Sequence, residues 1–304
     1  MKIIAAVDAS KGSELVVQTL AGMSLAKDSE VKLLMVIKSD ESEDNARQKL
    51  DAYMQQVKSS AKCAVDTDLS KGDARSRIVE MAKQWASDLI VMGSRGHKGM
   101  DLILLGSVSQ SVLMQAPCPV LIIKGREASE AVHGFKKVLI AADNSDYSQA
   151  ALGWLKKMSW SADAQMKLIT VLPPLSDSIA DEHGARVSTM MLEQDELKSL
   201  AATQLQAMQK ELADLVSPQN IFAEVAEGDP RELILLIASS WAADLIVMGS
   251  HGRTGLTKLL LGSVSQAVAQ HADCSVAIVR GLLQKSKGFQ QTGRFIKPAA
   301  KKKE

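Results

Sequence analysis

The chain has no excess of either charge: 36 Lys and Arg stand against 35 Asp and Glu, a formal net charge of +1 over 304 residues. That balance argues against a general nucleic-acid binder, which needs a clear basic excess on at least one face to neutralise phosphates. Cysteine is scarce and odd in number, at 63, 118 and 274, with no CxxC and no Cys/His pairing at metal-ligand spacing. Neither a disulfide framework nor a zinc site has this signature, and a reducing cytoplasm is expected. No apolar run approaches the roughly 20 residues of a membrane helix. The opening MKIIAAVDAS is interrupted by Asp8, too early for a signal-peptide core. There is also no GxxxxGK[ST] run, hence no P-loop lysine.

What is present is a soluble, globular composition, 46% hydrophobic and 23% charged, with length for about two domains. The most informative feature is an internal repeat. GSRGHKGMDLILLGSVSQSV at 93–112 returns as GSHGRTGLTKLLLGSVSQAV at 249–268, a shift of 156 that also carries Gly72 to Gly228, Trp85 to Trp241, Asp88 to Asp244, and Cys118 to Cys274. Between positions 85 and 118, 21 of 34 residues are identical in the second copy, which is duplication. Nearer the start of each copy the shift is 135, taking Asp8 to Asp143 and Val36 to Val171. The difference places one net insertion of 21 residues between Val171 and Gly228, within PPLSDSIADEHGARVSTMMLEQDELKSL and the helix after it. It reads as a longer loop and helix, with a lid or a dimer contact as alternatives.

Short apolar runs alternate with helical patterns in each copy, which predicts an α/β fold with a parallel sheet covered on both faces. In the first copy the runs are Ile3–Val7, Lys32–Ile37, Ala64–Asp68, Leu89–Met92 and Val120–Ile123. Helices are expected from about Ser13, across Ala46–Ala61, from Asp73 and from Ser107. Ile78, Met81, Ala82 and Trp85 form one helical stripe, repeated as Ile234, Ile237, Ala238 and Trp241, and the tryptophans read as core packing. Asp229-Pro230 sets a capping carboxylate before a proline at the first helical position. The domains expected are 1–124 and 135–281, with the polar stretch 125–134 as linker. A basic tail, 282–304, holds seven Lys or Arg against one acid. It reads as a solvated extension, with an anionic partner or packing on the body as alternatives.

The glycine runs suggest chemistry. Gly93 ends a strand, where glycine tolerates positive φ and permits close backbone approach. Gly106-Ser107 opens a helix whose unpaired N–H groups and positive dipole end favour an anion. Gly249, Gly252, Gly262 and Ser263 repeat Gly93, Gly96, Gly106 and Ser107. The result is a phosphate cradle or, on a plainer reading, a glycine turn with a serine N-cap. Arg95 and His97 in one loop, and His251 and Arg253 in the other, could reach such phosphates or simply be exposed.

The G-x2-G-x9-G-[ST] pattern after an LIVMG strand, with an AVDxS-like segment opening the domain, resembles the universal stress protein family in its ATP-binding branch. Both halves match, so the chain looks like a tandem member. The resemblance implies two open-sheet domains, each with a five-stranded parallel sheet of order 3-2-1-4-5 and helices on both faces. The halves would pair through strand 5, Val120–Ile123 with Val276–Val279, covering an exposed apolar edge. The site implied lies at the topological switch point between strands 1 and 4. There Asp8 and Asp143 would help hold adenosine, although helix capping is the alternative for both. The backbone at Val36 and Val171 would lie beside adenine, with Met92 and Met248 bordering the nucleotide. Gly93, Gly96, Gly106 and Ser107, and Gly249, Gly252, Gly262 and Ser263, would hold ribose and phosphates. Mg²⁺ or Mn²⁺ would be held through the phosphates.

Nothing in the glycine runs supplies a base to orient water or a carboxylate pair for a metal, so slow or negligible hydrolysis is expected. Adenylating enzymes use SGGxDS or HxGH signatures, which are absent here. A scaffold acting through protein contacts, a non-nucleotide ligand and a low-turnover ATPase are the other readings. A protein partner and a further homodimer stay open.

Overall fold

The computed structural model describes residues 1–94, 105–125, 134–174, 184–252 and 261–281, with 184–191 and 193 described by their backbone alone. Gly96, Arg95, His97 and Arg253, most of the linker and the basic tail lie outside the described residues. The first half contains β1 (Lys2–Val7), α1 (Lys11–Gly22), β2 (Glu30–Ile37), α2 (Glu43–Ser60) and β3 (Ala64–Lys71). It continues with α3 (Ala74–Gln84), β4 (Leu89–Gly93), α4 (Ser107–Gln115) and β5 (Val120–Ile123). The second half repeats the series: β6 (Lys137–Ala141), α5 (Asp146–Leu155), β7 (Gln165–Leu172), α6 (Gly184–Leu212) and β8 (Ile221–Glu227), the last preceded by a 3-10 turn. Then follow α7 (Pro230–Ser240), β9 (Leu245–Gly249), α8 (Ser263–His271) and β10 (Ser275–Val279).

All ten strands join one sheet in the order β3-β2-β1-β4-β5-β10-β9-β6-β7-β8. Within each half the neighbours run parallel, and the halves meet where β5 and β10 pair antiparallel, with Val276 opposite Ile122 and Ile278 opposite Val120. An apolar strand edge that each half alone would expose is thus covered by the other. β1 shows why the sheet needs two covers. Ile3, Ala5 and Val7 join one apolar cluster, with residues of α1, α2, α5 and α6. Ile4 and Ala6 join the other, with residues of α3, α4, α7 and α8. Alternate side chains of a buried strand point to opposite faces, so both must be apolar.

Local signals set the helix starts. Ser10, Ser42, Asp73, Ser145 and Asp229 are N-caps whose side chains accept backbone N–H groups of their own first turns. Such a cap contributes about 1 kcal/mol. The Asp229-Pro230 pair behaves as its sequence predicts. Ser10 starts α1 slightly ahead of the expected Ser13. Trp85 and Trp241 differ from expectation: they are half-buried C-caps of α3 and α7, each followed by an alanine with positive φ, Ala86 at 50° and Ala242 at 54°. They pack against the rim of the core rather than inside it. Lys2 and Lys32 cover the Trp85 ring, at 5.5 and 4.9 Å from its centre, and Lys137 covers Trp241.

Candidate functional site

Because β1 lies between β2 and β4, the chain leaving β1 turns to α1 on one face, while the chain leaving β4 leads to α4 on the other. This reversal is the topological switch point, at the C-terminal edge of the strands, where open α/β sheets form a ligand crevice, and β6 and β9 repeat it in the second half. Ala6 is in register with Met92, which sets Asp8 and Gly93 at neighbouring strand ends. Ala141 is in register with Met248, which does the same for Asp143 and Gly249. Met92 and Met248 are buried at the ends of β4 and β9. Val36 and Val171 stand partly buried in β2 and β7, one strand further out.

Asp8 organises the turn into α1. Its Oδ1 accepts hydrogen bonds from the Ser10 amide at 3.0 Å and the Ser13 hydroxyl at 2.7 Å, and from the Ser10 hydroxyl. The Ser13 hydroxyl also accepts the Asp8 amide, and the Tyr53 phenol of α2 donates to the Asp8 carbonyl at 3.3 Å. Burial pushes that phenol from its ordinary 10 up to about 12, so it stays a donor further into the alkaline range. Asp143 repeats the pattern with Ser145 and Ser148, whose hydroxyls each lie 2.6 Å from Oδ1. Helix capping in the strict sense belongs to Ser10 and Ser145, and the aspartates hold those caps in place. The missed signal was D-x-S-x-x-S, present in both copies as DASKGS and DNSDYS.

The glycines act by close approach. None of the described residues Gly93, Gly106, Gly249, Gly252 and Gly262 has positive φ, contrary to what was allowed for Gly93. A Cβ on Gly93 would lie 3.2 Å from the Gly12 carbonyl, and one on Gly249 would lie 2.6 Å from the Tyr147 Cβ. A Cβ on Gly252 would lie 2.6 Å from Oδ2 of Asp143, so that backbone passes directly over the carboxylate.

Gly106 and Gly262, not the serines, are the N-caps of α4 and α8, and neither helix has a side-chain cap. Ser107 and Ser263 are the first helical residues and stand exposed, so the serine-cap alternative fails. The amides of Gln110 and Gln266 are the first to close on the glycine carbonyls, at 2.8 and 2.9 Å, leaving the earlier amides of each helix without intrahelical acceptors. The glycine amides donate back to Ser94 and Ser250 carbonyls at 2.7 and 2.8 Å. Ser109 and Ser265, missed in the sequence although GSVSQ occurs twice, tie the first turns to Gly93 and Ser250 carbonyls at 2.8 Å.

Among the described residues the second crevice carries groups that the first does not. Tyr147 occupies the position equivalent to Gly12, and its ring lies 4.9 Å from that of buried His251. The His251 Nδ1 is 3.1 Å from the Ser250 hydroxyl. Among the described residues no group of three or more His, Cys, Asp or Glu is placed to hold a metal ion, and no helix is long and apolar enough to cross a membrane.

Residues 1–124 and 134–280 match the universal stress protein family. A universal stress protein of Mycobacterium tuberculosis is 30% identical over 219 residues, covering 72% of this chain and 70% of that one. A universal stress protein A homolog of Coxiella burnetii is 35% identical over 155 residues, 48% of this chain and 95% of that one. The crystal structure of a universal stress protein from Archaeoglobus fulgidus superimposes with a TM-score of 0.60 at 22% identity, covering 92% of this chain and 96% of that one, a likeness of fold.

Proposed function

Because the chain belongs to the universal stress protein family, we propose that it is a cytoplasmic stress-response protein that binds ATP in one or both crevices, with Mg²⁺ or Mn²⁺ carried on the phosphates. One observation supports this reading most. Among the described helix starts, α1, α2, α3, α5 and α7 have side-chain caps, while α4 and α8 begin on bare glycine at the crevices. The amides there that have no intrahelical acceptor, with the positive end of each helix dipole, suit a phosphate.

In this reading Gly93, Gly249 and Gly252 let ribose and phosphates approach the backbone, and Gly106 and Gly262, whose own amides are taken by the Ser94 and Ser250 carbonyls, start the helices on which Ser107 and Ser263 offer amide and hydroxyl to the phosphates. Gly96 would join them. Asp8 and Asp143, each fixed through Oδ1, would present Oδ2 to the adenosine part. The backbone at Val36 and Val171 would flank adenine, above Met92 and Met248. A bound metal would offset phosphate charge. The protein's own groups bind and orient, and a partner would read occupancy rather than turnover.

The test is mass-spectrometric identification of nucleotide carried by the purified protein, with ATP titration of the Gly106→Ala and Gly262→Ala variants. Co-purified or titratable adenine nucleotide, weakened in the variants, is the expected result. A wild type that neither carries nor binds adenine nucleotide would refute the proposal. Turnover near an ordinary enzyme's, about 10 per second, would replace a sensor with an ATPase.

A further inference from the structure

Each half sends one cation into the other. Lys124, the first residue after β5, places Nζ 2.7 Å from the Ala272 carbonyl and 3.3 Å from that of Gln270, at the C-terminus of α8. Arg280, the first residue after β10, places Nη2 2.8 Å from the Leu113 carbonyl and 2.5 Å from that of Met114, at the end of α4. Both satisfy carbonyls that the helix itself leaves open, and both offset the negative end of its dipole. They occupy equivalent positions in the two copies, so the device is present twice.

The helices held in this way are the two whose opposite ends face the crevices. The strand ends that deliver the cations are fastened there as well: the Ser94 amide donates to the Ile123 carbonyl at 3.0 Å, and the Ser250 amide to the Val279 carbonyl at 2.8 Å. A closed circuit results. From Ser94 it runs through Ile123 and Lys124 to the end of α8, along α8 to Gly262, and by the Gly262 amide to Ser250. From Ser250 it runs through Val279 and Arg280 to the end of α4, along α4 to Gly106, and by the Gly106 amide back to Ser94.

We propose that this circuit couples the two crevices, so that filling one strengthens binding in the other, with Lys124 and Arg280 as the positioning residues that carry the effect. The inference rests on the nucleotide reading above. Phosphate held by the first turn of α4 fixes Gly106 and Ser94 together. Ser94 anchors the strand end from which Lys124 holds α8, so the second crevice has less freedom left to lose when it fills. Linkage makes the effect equal in both directions. Neither cation reaches the phosphates of the crevice served by the helix it caps: each sits at the far end of that nine-residue helix, about 13 Å away at 1.5 Å per residue.

Calorimetric titration with Mg-ATP measures the coupling. Wild type yields two binding constants, while Gly106→Val and Gly262→Val each leave one open crevice. The coupling factor is the product of the wild-type constants divided by the product of the two single-crevice constants. A factor of about 5 to 10 is expected, falling towards one when Arg280→Met or Lys124→Met is placed in all three backgrounds. A merely structural role would lower thermal stability and leave the factor unchanged. Independent crevices in wild type, a stoichiometry of one, or a factor unmoved in both Met variants would each overturn the proposal. If the Met variants fail to fold, Arg280→Gln decides in their place, since its short neutral amide can neither reach both carbonyls nor offset the helix dipole, and the factor should still drop. Absence of any ATP binding by wild type is a different result, and it removes the nucleotide reading itself.

Discussion

Alanine at Gly249 should destabilise the protein far more than alanine at Gly93, although the two glycines end equivalent strands. The added methyl at 249 would meet the Tyr147 Cβ at 2.6 Å and the Tyr147 carbonyl carbon and oxygen at 2.9 and 3.0 Å. Carbon contacts are comfortable at about 3.5 to 4.0 Å, so the first turn of α5 would have to retreat by roughly 1 Å. That turn also carries the Asp143, Ser145 and Ser148 hydrogen bonds, each contributing about 1 kcal/mol net. Overpacking costs about 1 to 3 kcal/mol, and Gly249→Ala should fall at the upper end. At Gly93 the nearest atoms are Gly12 backbone at 3.2 to 3.3 Å, a misfit of a few tenths of an ångström that should cost less than about 1 kcal/mol. Urea unfolding followed by circular dichroism measures both, with an unchanged m-value as the check on the comparison. Combining Tyr147→Gly with Gly249→Ala removes the 2.6 Å contact and keeps the two backbone contacts, so a double-mutant cycle should return part of the loss. Equal costs at 93 and 249, or strict additivity in the cycle, would show that close approach is not why glycine stands there.

Two further outcomes follow from the same geometry. Gly252→Ala pushes on Oδ2 of Asp143, a side-chain atom rather than backbone, so stability should stay within about 0.5 kcal/mol of wild type. ATP affinity in the second crevice should nonetheless fall about tenfold, a loss of about 1.4 kcal/mol; unchanged affinity by calorimetry would remove the Asp143 carboxylate from the site. Among the carboxylates, Asp229 is held down to about 2 by the Arg231 guanidinium and neighbouring amides, whereas burial raises Asp244 above its ordinary 3.8 despite the amides of Lys136 and Lys137. The signs are opposite. The contribution of Asp229 is present above its unfolded value and lost as pH falls towards 2; that of Asp244 is full below 3.8 and lost as pH rises through its raised folded value. Carboxyl NMR titration should find Asp229 ionised at pH 3 and Asp244 titrating above 3.8, and midpoints that coincide would contradict both environments.

Periodicity and repetition made the strands, the duplication and the crevice residues legible, because buried strands and glycine turns leave patterns within a few residues. Trp85 and Trp241 misled because a helical stripe identifies a face but not where the helix stops, and both fall at the C-cap. Ser107 misled for a related reason: serine is the common N-cap, but Gly106 already has the extended backbone a cap needs, which moves the serine to the first helical position. The serines of D-x-S-x-x-S and GSVSQ were visible as repeats, but their roles depend on hydrogen bonds to Asp8, Asp143, Gly93 and Ser250 across turns. Lys124 and Arg280 gave no local signal at all, since each acts on a helix about 150 residues away in the chain.

The insertion is where the two halves differ most, and its position follows from packing. Ala46, Leu50, Tyr53 and Val57 of α2 correspond to buried Ala201, Leu205, Met208 and Leu212 of α6, a uniform shift of 155. That shift places the equivalent of Glu43 at Lys198, so residues 184–197 of α6 precede anything in α2. They amount to about 21 Å of additional helix at 1.5 Å per residue. Most of the extra chain is therefore helix, the helical part of the longer-loop-and-helix reading. Its junction with the shared part is fastened to the strand ends beside the second crevice. Gln194 donates to the Pro173 carbonyl just beyond β7 at 3.1 Å, and Lys198 pairs with Glu227 at the end of β8. In the first half a single exposed pair, Lys71 with Glu43, spans the equivalent gap at 2.6 Å, with the charges exchanged between strand and helix. A reversed ion pair preserves attraction across the gap, whereas the buried Gln194 contact has no equivalent among the helical residues of α2, which begins only at Glu43. The wall on the strand-2 side of the second crevice is consequently built from more of the chain than its counterpart, while the two phosphate cradles keep the same backbone design.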